Sequence, residues 1–240
     1  MKEVAVFASR KNTGACCVSA LVKRGYKVRA ISRSGELSED QRGNESIVPM
    51  VGDVTKPETL QSCVEGAAAV IFAAASTAGW RIPTGRMDTP PHVDYQGCIN
   101  VAEACVRHDV PQFIVISSAC VTRSMFSSIP YLLLNTMLGR VMYWKRRGEI
   151  ESQAVIEKNP NCSWTIIRPG GLQNTDAKEP KDISLETGDT KSAMIPRANV
   201  GEIAAAAVDN PNAKNIAFEC IGVPSGVASY AELFETLQKK

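Results

Sequence analysis

Short apolar runs rich in β-branched residues recur along this chain, and segments of helical period separate them. The runs are Glu3 to Ala8, Tyr26 to Ser32, Ser46 to Val51, Ala68 to Ala74, Gln112 to Ser117 and Ser163 to Ile167. Continuous apolar runs of this length predict strands buried on both faces. Ala15 to Arg24, Lys56 to Val64, Tyr95 to His108 and Gly139 to Lys158 predict the intervening helices, the first stopped by Gly25. One strand, a helix and a second strand fit into the first ~30 residues, the size of a βαβ unit. Repetition of that unit predicts an α/β fold with a doubly wound parallel sheet and helices on both faces.

The pattern changes in the last third. Ile183 to Glu186 reads as a lone strand, Arg197 to Asp209 as an alanine-rich helix, Asn215 to Cys220 as a strand and Ser229 to Lys239 as a closing helix. No linker or repeat divides the chain. It is read as a single domain over 1–240, with a core of about 1–170 and a small lobe formed mainly by 171–240. Two irregular stretches, 75–93 and 171–182, follow predicted strand ends, where ligands bind in open α/β sheets. The first carries Trp80, Arg81 and Arg86.

Composition excludes several functions. Lysine plus arginine is 27 and aspartate plus glutamate 25, a net charge of +2, and aromatic residues are only 6%. Neither an electrostatic footprint nor a stacking surface for nucleic acid is expected. The 8 cysteines form no CxxC pair and only 2 histidines are available, so no metal site is expected. Most cysteines lie in apolar runs, where a thiol acts as a small hydrophobe. This predicts a reducing compartment without disulfides: the cytoplasm, or the interior of a plastid or mitochondrion. Residues 1–10 lack the core of a secretory signal. The apolar stretch 130–143 is broken by Asn135, Gly139 and Arg140 and is shorter than the ~20 residues a bilayer span needs. A soluble chain with no transmembrane segment is expected.

The turn after the first strand is where a nucleotide fold binds phosphate. In the pattern GxxGxxG this chain has Ala8, Lys11 and Gly14. Only the third glycine is present, and by itself it signals close helix–strand packing. Ser9, Arg10, Lys11, Asn12 and Thr13 nevertheless place cations, hydroxyls and an amide where an anion would sit. Solvation of a charged turn is the equal alternative. The second strand ends Ser32–Arg33–Ser34 with no acid, and Arg33 lies about 20 residues after the turn. An arginine there accommodates a 2′-phosphate, which predicts NADP(H) over NAD(H). After the third strand, Asp53 is placed to accept from an adenine amino group, with Val54 supporting it. A helix cap by Asp53 is the alternative reading.

These residues add up to a resemblance. In order they are ASRKNTG, VRAISRS, GDV, IFAAAS, VDYQGCINVAEAC, FIVISSA, WKRRGE, WTIIRPGGL and IPRANVGEIAAAA. The set resembles the atypical short-chain dehydrogenase/reductase group, the NAD(P)H-binding NmrA-like proteins, from about residue 3 to 220. The resemblance implies a Rossmann-type sheet with a small C-terminal substrate lobe. It implies that Ala73, Ala74, Ala75 and Ser76 line the nicotinamide-side ribose and that Pro169 and Gly170 border the nicotinamide. Arg197 and Val200 would belong to the substrate lobe. It also implies a serine after strand five, here Ser118 with Ser117 beside it on the cofactor, and a lysine, here Lys145, that holds the ribose.

The family pairs that lysine with a tyrosine four residues earlier, whose phenolate the cation stabilises. Here that position is Val141, which transfers no proton. Tyr143 falls on another helix face and reads as packing with Trp144; Tyr131 is a further candidate. His92 reads as a solvated loop residue and His108 as a helix-end imidazole.

Three functions follow as expectations. The first is an NADP(H)-dependent oxidoreductase on a small organic substrate, lacking the usual tyrosine. The second is a catalytically silent scaffold or assembly factor in a protein complex, binding a nucleotide or none. Its contact would be the apolar segment 125–143, with Met125, Phe126, Leu132 to Leu134 and Met137. A redox sensor lies between them.

Overall fold

The structure is a computed structural model that describes residues 1–76, 88–123 and 140–237. The first βαβ unit is β1 (Glu3–Phe7), α1 (Asn12–Lys23) and β2 (Lys27–Ser32). Then come β3 (Ile47–Val51), the short α2 (Gln61–Val64) and β4 (Ala69–Phe72). Next are α3 (Cys98–Arg107), β5 (Gln112–Ile116), α4 (Val141–Ile156) and β6 (Ser163–Pro169). The last part holds β7 (Leu172–Gln173), β8 (Ser184–Glu186), β9 (Ile195–Pro196), α5 (Arg197–Ala207), β10 (Ile216–Ile221) and α6 (Tyr230–Leu237).

The main sheet has the order β3-β2-β1-β4-β5-β6-β10-β8. Every pair in it is parallel except β10 with β8. This is the expected Rossmann-type sheet. Val4 faces Val28 on one side and Ala69 on the other, so the strand order reverses at β1 and β4. Alternate strand residues serve opposite layers. Val4 and Val6 pack with α1, α5 and α6, while Ala5 and Phe7 pack with α2 and α3.

The residues after 171 do two things. β10 and β8 extend the central sheet, and β7 pairs with β9 in a small parallel ladder of two residues each. Strands that short carry no periodicity, so sequence reasoning missed them. Other boundaries moved for local reasons. α1 starts at Asn12, three residues before the expected Ala15, because the preceding turn is tight. The expected helix over 56–64 begins as a 3-10 turn at Pro57–Thr59. The helix expected from Tyr95 is preceded by a wide π-helical turn, Pro91–Gly97, which opens at the second of two adjacent prolines. Trp80, Arg81, Arg86 and Tyr131 lie outside the described residues, as does most of the apolar segment 125–143.

A buried polar network crosses the far half of the sheet. Arg168 on β6 donates through Nε and Nη2 to the Glu149 carboxylate on α4, at 3.1 and 3.0 Å. Its Nη1 reaches Glu219 Oε1 on β10 at 3.3 Å. The Asp189 N–H donates to Glu219 Oε2 at 2.9 Å. The Asp189 carboxylate in turn accepts from the N–H groups of Cys120 and Thr122 at 2.6 and 2.8 Å. The loop after β5 is thereby tied to the segment between β8 and β9. All eight cysteines are free thiols, and among the described residues no helix is long and apolar enough to cross a membrane.

Candidate functional site

In an open α/β sheet the crevice opens where the strand order reverses. Here a cavity of about 690 Å³ lies at that point, within the size range of small-molecule sites. The β1–α1 turn forms one wall with Ala8, Arg10, Lys11, Asn12 and Thr13. The ends of β2 and β3 supply Ser32, Arg33, Ser34, Gly52, Asp53, Val54 and Thr55. Ala73, Ala74 and Ala75 follow β4, and Asp88, Val93, Leu172 and Arg197 close the remaining side.

The turn keeps the shape that its lost glycine would supply. Ala8 stands at φ 58° and Asn12 at φ 52°, both in the left-handed region that favours glycine. Ser9 turns inward instead: its N–H and hydroxyl both donate to the Ile31 carbonyl, at 3.2 and 3.0 Å. Gly14 sits behind the turn. A Cβ there would lie 2.2 Å from the Ala8 carbonyl oxygen, so its smallness serves helix packing. No side chain caps the start of α1, which leaves first-turn N–H groups for another acceptor.

The two arginines differ. Arg10 pairs with Glu36 at 2.6 Å. Arg33 is exposed at the cavity and makes no hydrogen bond or ion pair among the described residues. Asp53 is not the helix cap of the alternative reading: Lys56 stands at the start of the 3-10 turn Pro57–Thr59 and no side chain caps it. The Asp53 Oδ1 accepts from the Thr55 N–H and hydroxyl at 3.0 and 2.8 Å, an Asx turn, while the residue still lines the cavity. Beneath it, Val54 is buried and its carbonyl accepts from Asn100 Nδ2 at 2.9 Å.

Of the residues predicted for the nicotinamide end, Ala73, Ala74 and Ala75 line this cavity, while Ser117, Ser118, Lys145, Pro169 and Gly170 are not among its lining residues. Ser117 is buried, its N–H bound to the Ile167 carbonyl at 2.7 Å, and its hydroxyl makes no hydrogen bond among the described residues. The Ser118 hydroxyl donates to the Ala119 carbonyl at 3.1 Å. Gly170 follows Pro169, the last residue of β6, and a Cβ on it would lie 1.8 Å from the Ala193 carbonyl oxygen. Lys145 stands 2.8 Å from Oδ1 of a fully buried Asp94, whose Oδ2 accepts from the Ser76 N–H at 3.0 Å. The cavity thus gathers Arg10, Asn12, Thr13, Arg33, Asp53 and Val54 with Ala73, Ala74 and Ala75, while Ser9 and Gly14 are buried behind the turn.

Tyr143 packs among aromatic and basic side chains, and its hydroxyl accepts from Arg147 Nη1 at 3.4 Å. Its ring meets Trp144 edge-on at 5.1 Å, and Arg140 lies 4.5 Å over its face. Val141 opens α4 and is half-buried. His92 is half-buried beside Thr89 and bonded to its hydroxyl, not the solvated residue expected, because the π-helical turn draws it inward. His108 stands at the C-cap of α3, where its backbone N–H donates to the Ala104 carbonyl at 3.2 Å, and its imidazole makes no hydrogen bond among the described residues. Among the described residues no group of histidine, cysteine, aspartate and glutamate is placed to hold a metal.

Arg197 is the residue whose place sequence reasoning missed. It stands at the first position of α5 but shares the cavity with the β1–α1 turn. Burial pushes the Cys16 thiol up, and the nearby Arg197 charge works against that rise. A free Arg33, an uncapped α1, a partly unpartnered Arg197 and the cavity volume all fit a dinucleotide with anionic linkages.

Known proteins agree with that chemistry. A family profile described as NAD(P)H-binding matches residues 10–211. An uncharacterised chloroplastic protein of Arabidopsis thaliana is 28% identical, over 99% of this chain and 83% of its own. Sanguinarine reductase of Eschscholzia californica is 26% identical, over 94% of this chain and 90% of its own. In fold, the oxidoreductase ylbE of Lactococcus lactis superposes with a TM-score of 0.78 at 18% identity, covering 100% of this chain and 98% of that one. The match spans most of the chain and includes the three arginines that line the cavity, Arg10, Arg33 and Arg197, so the chain belongs to the NAD(P)H-binding family.

Proposed function

We propose that this protein is an NADP(H)-dependent oxidoreductase that acts on a small organic substrate without the usual tyrosine. The observation that carries the reading is Arg33, an unpaired guanidinium at the end of β2 facing the cavity. A 2′-phosphate is the ligand group that such a cation is suited to meet. Arg10, held by Glu36, borders the same region. Asp53 and Val54 would meet the adenine, and Asn12 and Thr13 the phosphates. Ala73, Ala74 and Ala75 would flank the sugar beyond.

When bound, the nicotinamide supplies or accepts hydride. The chain's own residues orient and polarise. The Ser117 hydroxyl, which makes no hydrogen bond among the described residues, would supply a donor at the end of β5, and Ser118 would do so on leaving the Ala119 carbonyl. Lys145, paired with Asp94, would hold a ribose hydroxyl while Asp94 fixes the backbone after β4 at Ser76. Pro169 and Gly170 would border the ring, and the short β7–β9 ladder would belong to a substrate lobe. A reducing compartment suits the eight free thiols, and a plant relative carries a chloroplast designation.

Val141 favours a second reading, cofactor binding without turnover, in which the protein acts as a sensor or scaffold. Titration of the purified protein with NADPH and NADH, followed by a screen of carbonyl and quinone acceptors, separates the readings. Arg33→Ala is expected to weaken NADPH at least tenfold and to leave NADH unchanged. Equal losses for both cofactors would discard the Arg33 assignment. Tight NADPH binding without oxidation by any acceptor would move the sensor reading to first place.

A further inference from the structure

We infer that Arg197 is a phosphate-binding residue that clamps the pyrophosphate of the dinucleotide against the first turn of α1. The inference rests on the NADP(H) reading and deepens it, because it assigns the anion contact that two missing glycines would otherwise have supplied.

The placement follows from how α1 and α5 cross. A Cβ added to Gly201 would lie 2.5 Å from the Cys16 backbone carbonyl carbon, so the two helices touch there backbone to backbone. Arg197 precedes Gly201 by one helical turn, and Asn12 and Thr13 precede Cys16 by one turn. Both helices start at the cavity, and Arg197, Asn12 and Thr13 all line it. Arg197 therefore stands beside the α1 first turn, across from the bend at Ala8. The influence of its charge on Cys16 reports the same proximity.

Its hydrogen-bonding state suits an anion site. Arg197 is half-buried and has no carboxylate partner among the described residues. Nη1 donates to Asn174 Oδ1 at 2.6 Å, which fixes the side chain from behind. Nε is buried with no acceptor, and Nη2 makes no hydrogen bond among the described residues. A partly desolvated guanidinium without a counter-charge is costly, and a phosphate within its reach would offset that cost. Arg33 lines the cavity from the end of β2 and Arg197 from the start of α5, so the two cations serve different phosphates. Arg33 suits the 2′-phosphate and Arg197 the bridging one.

The test is calorimetric titration of wild type, Arg197→Gln and Asn174→Ala with NADPH, NADH and 2′-AMP, which lacks the pyrophosphate. Arg197→Gln is expected to weaken NADPH and NADH by the same factor, tenfold to a hundredfold, and to leave 2′-AMP unchanged. Arg33→Ala is expected to show the opposite pattern, with loss confined to NADPH and 2′-AMP. Asn174→Ala keeps the cation and is expected to lose only a few-fold on both dinucleotides. If Arg197→Gln fails to fold, Arg197→Lys takes its place, with a smaller loss on both dinucleotides and none on 2′-AMP. Wild-type affinity of the Arg197 variants for both dinucleotides would overturn the inference and leave the NADP(H) reading standing, as would an equal loss on 2′-AMP. Wild-type protein that binds neither dinucleotide would overturn both.

Discussion

Ala8 occupies a backbone conformation, φ 58°, that costs an L-residue about 1–2 kcal/mol. It stands where the phosphate-binding pattern has its first glycine. The sequence shows only that the glycine is gone; the backbone shows that the glycine's conformation is not. Ala8→Gly is therefore expected to stabilise the protein by roughly 0.5–1 kcal/mol, after the added freedom of the unfolded chain is subtracted. Urea denaturation checks this, and a lowered midpoint would show that the Ala8 methyl contributes more than its strain costs. Arg33 was legible from its position after a predicted strand. Ser9 was not: its residue type suits a phosphate, but the turn after β1 points it inward, where it bonds the Ile31 carbonyl.

Among the elements, the α1–α5 crossing has the largest consequence for the site. Gly201 permits backbone contact with Cys16, and the contact brings the starts of the two helices to one cavity. Gly201→Ala is expected to cost about 1–3 kcal/mol, because the helices must separate to admit the methyl group. The same change is expected to lower dinucleotide affinity, since it displaces Arg197 from the turn. Thermal unfolding with a parallel NADPH titration measures both effects, and a variant equal to wild type in both would mean that the crossing does not position the site. The alanine-rich run 197–209 was legible as a helix from its composition. Its partner was not, because a helix with small residues on most sides has no single apolar stripe to declare which face it buries.

Across the whole molecule, the buried Arg168 joins α4, β6 and β10, and Glu219 carries the connection on to the loop after β5 through Asp189. Arg168→Met leaves Glu149 and Glu219 without their central cation, a loss expected to cost about 3–5 kcal/mol. Burial already holds the Glu219 carboxyl above the usual carboxylate range. A raised folded-state pKa gives stability that is present at low pH and lost as pH rises through it. The deficit of Arg168→Met is thus expected to be smaller at pH 5 than at pH 8. Urea unfolding at the two values decides it, and a deficit independent of pH would mean that Glu219 is not the group left unpaired.

The sequence by itself determined the alternation of strands and helices, the doubly wound parallel sheet and the positions of Arg33 and Asp53. Each of these follows from local periodicity or from a fixed offset after a strand. Tertiary structure decided the rest. It placed β10 and β8 in the central sheet, formed the two-residue β7–β9 ladder, turned Ser9 inward and paired Lys145 with Asp94. It also carried Arg197 from the last third of the chain to the first turn. These features depend on contacts between residues distant in sequence, and no local pattern encodes which distant surface a side chain will meet.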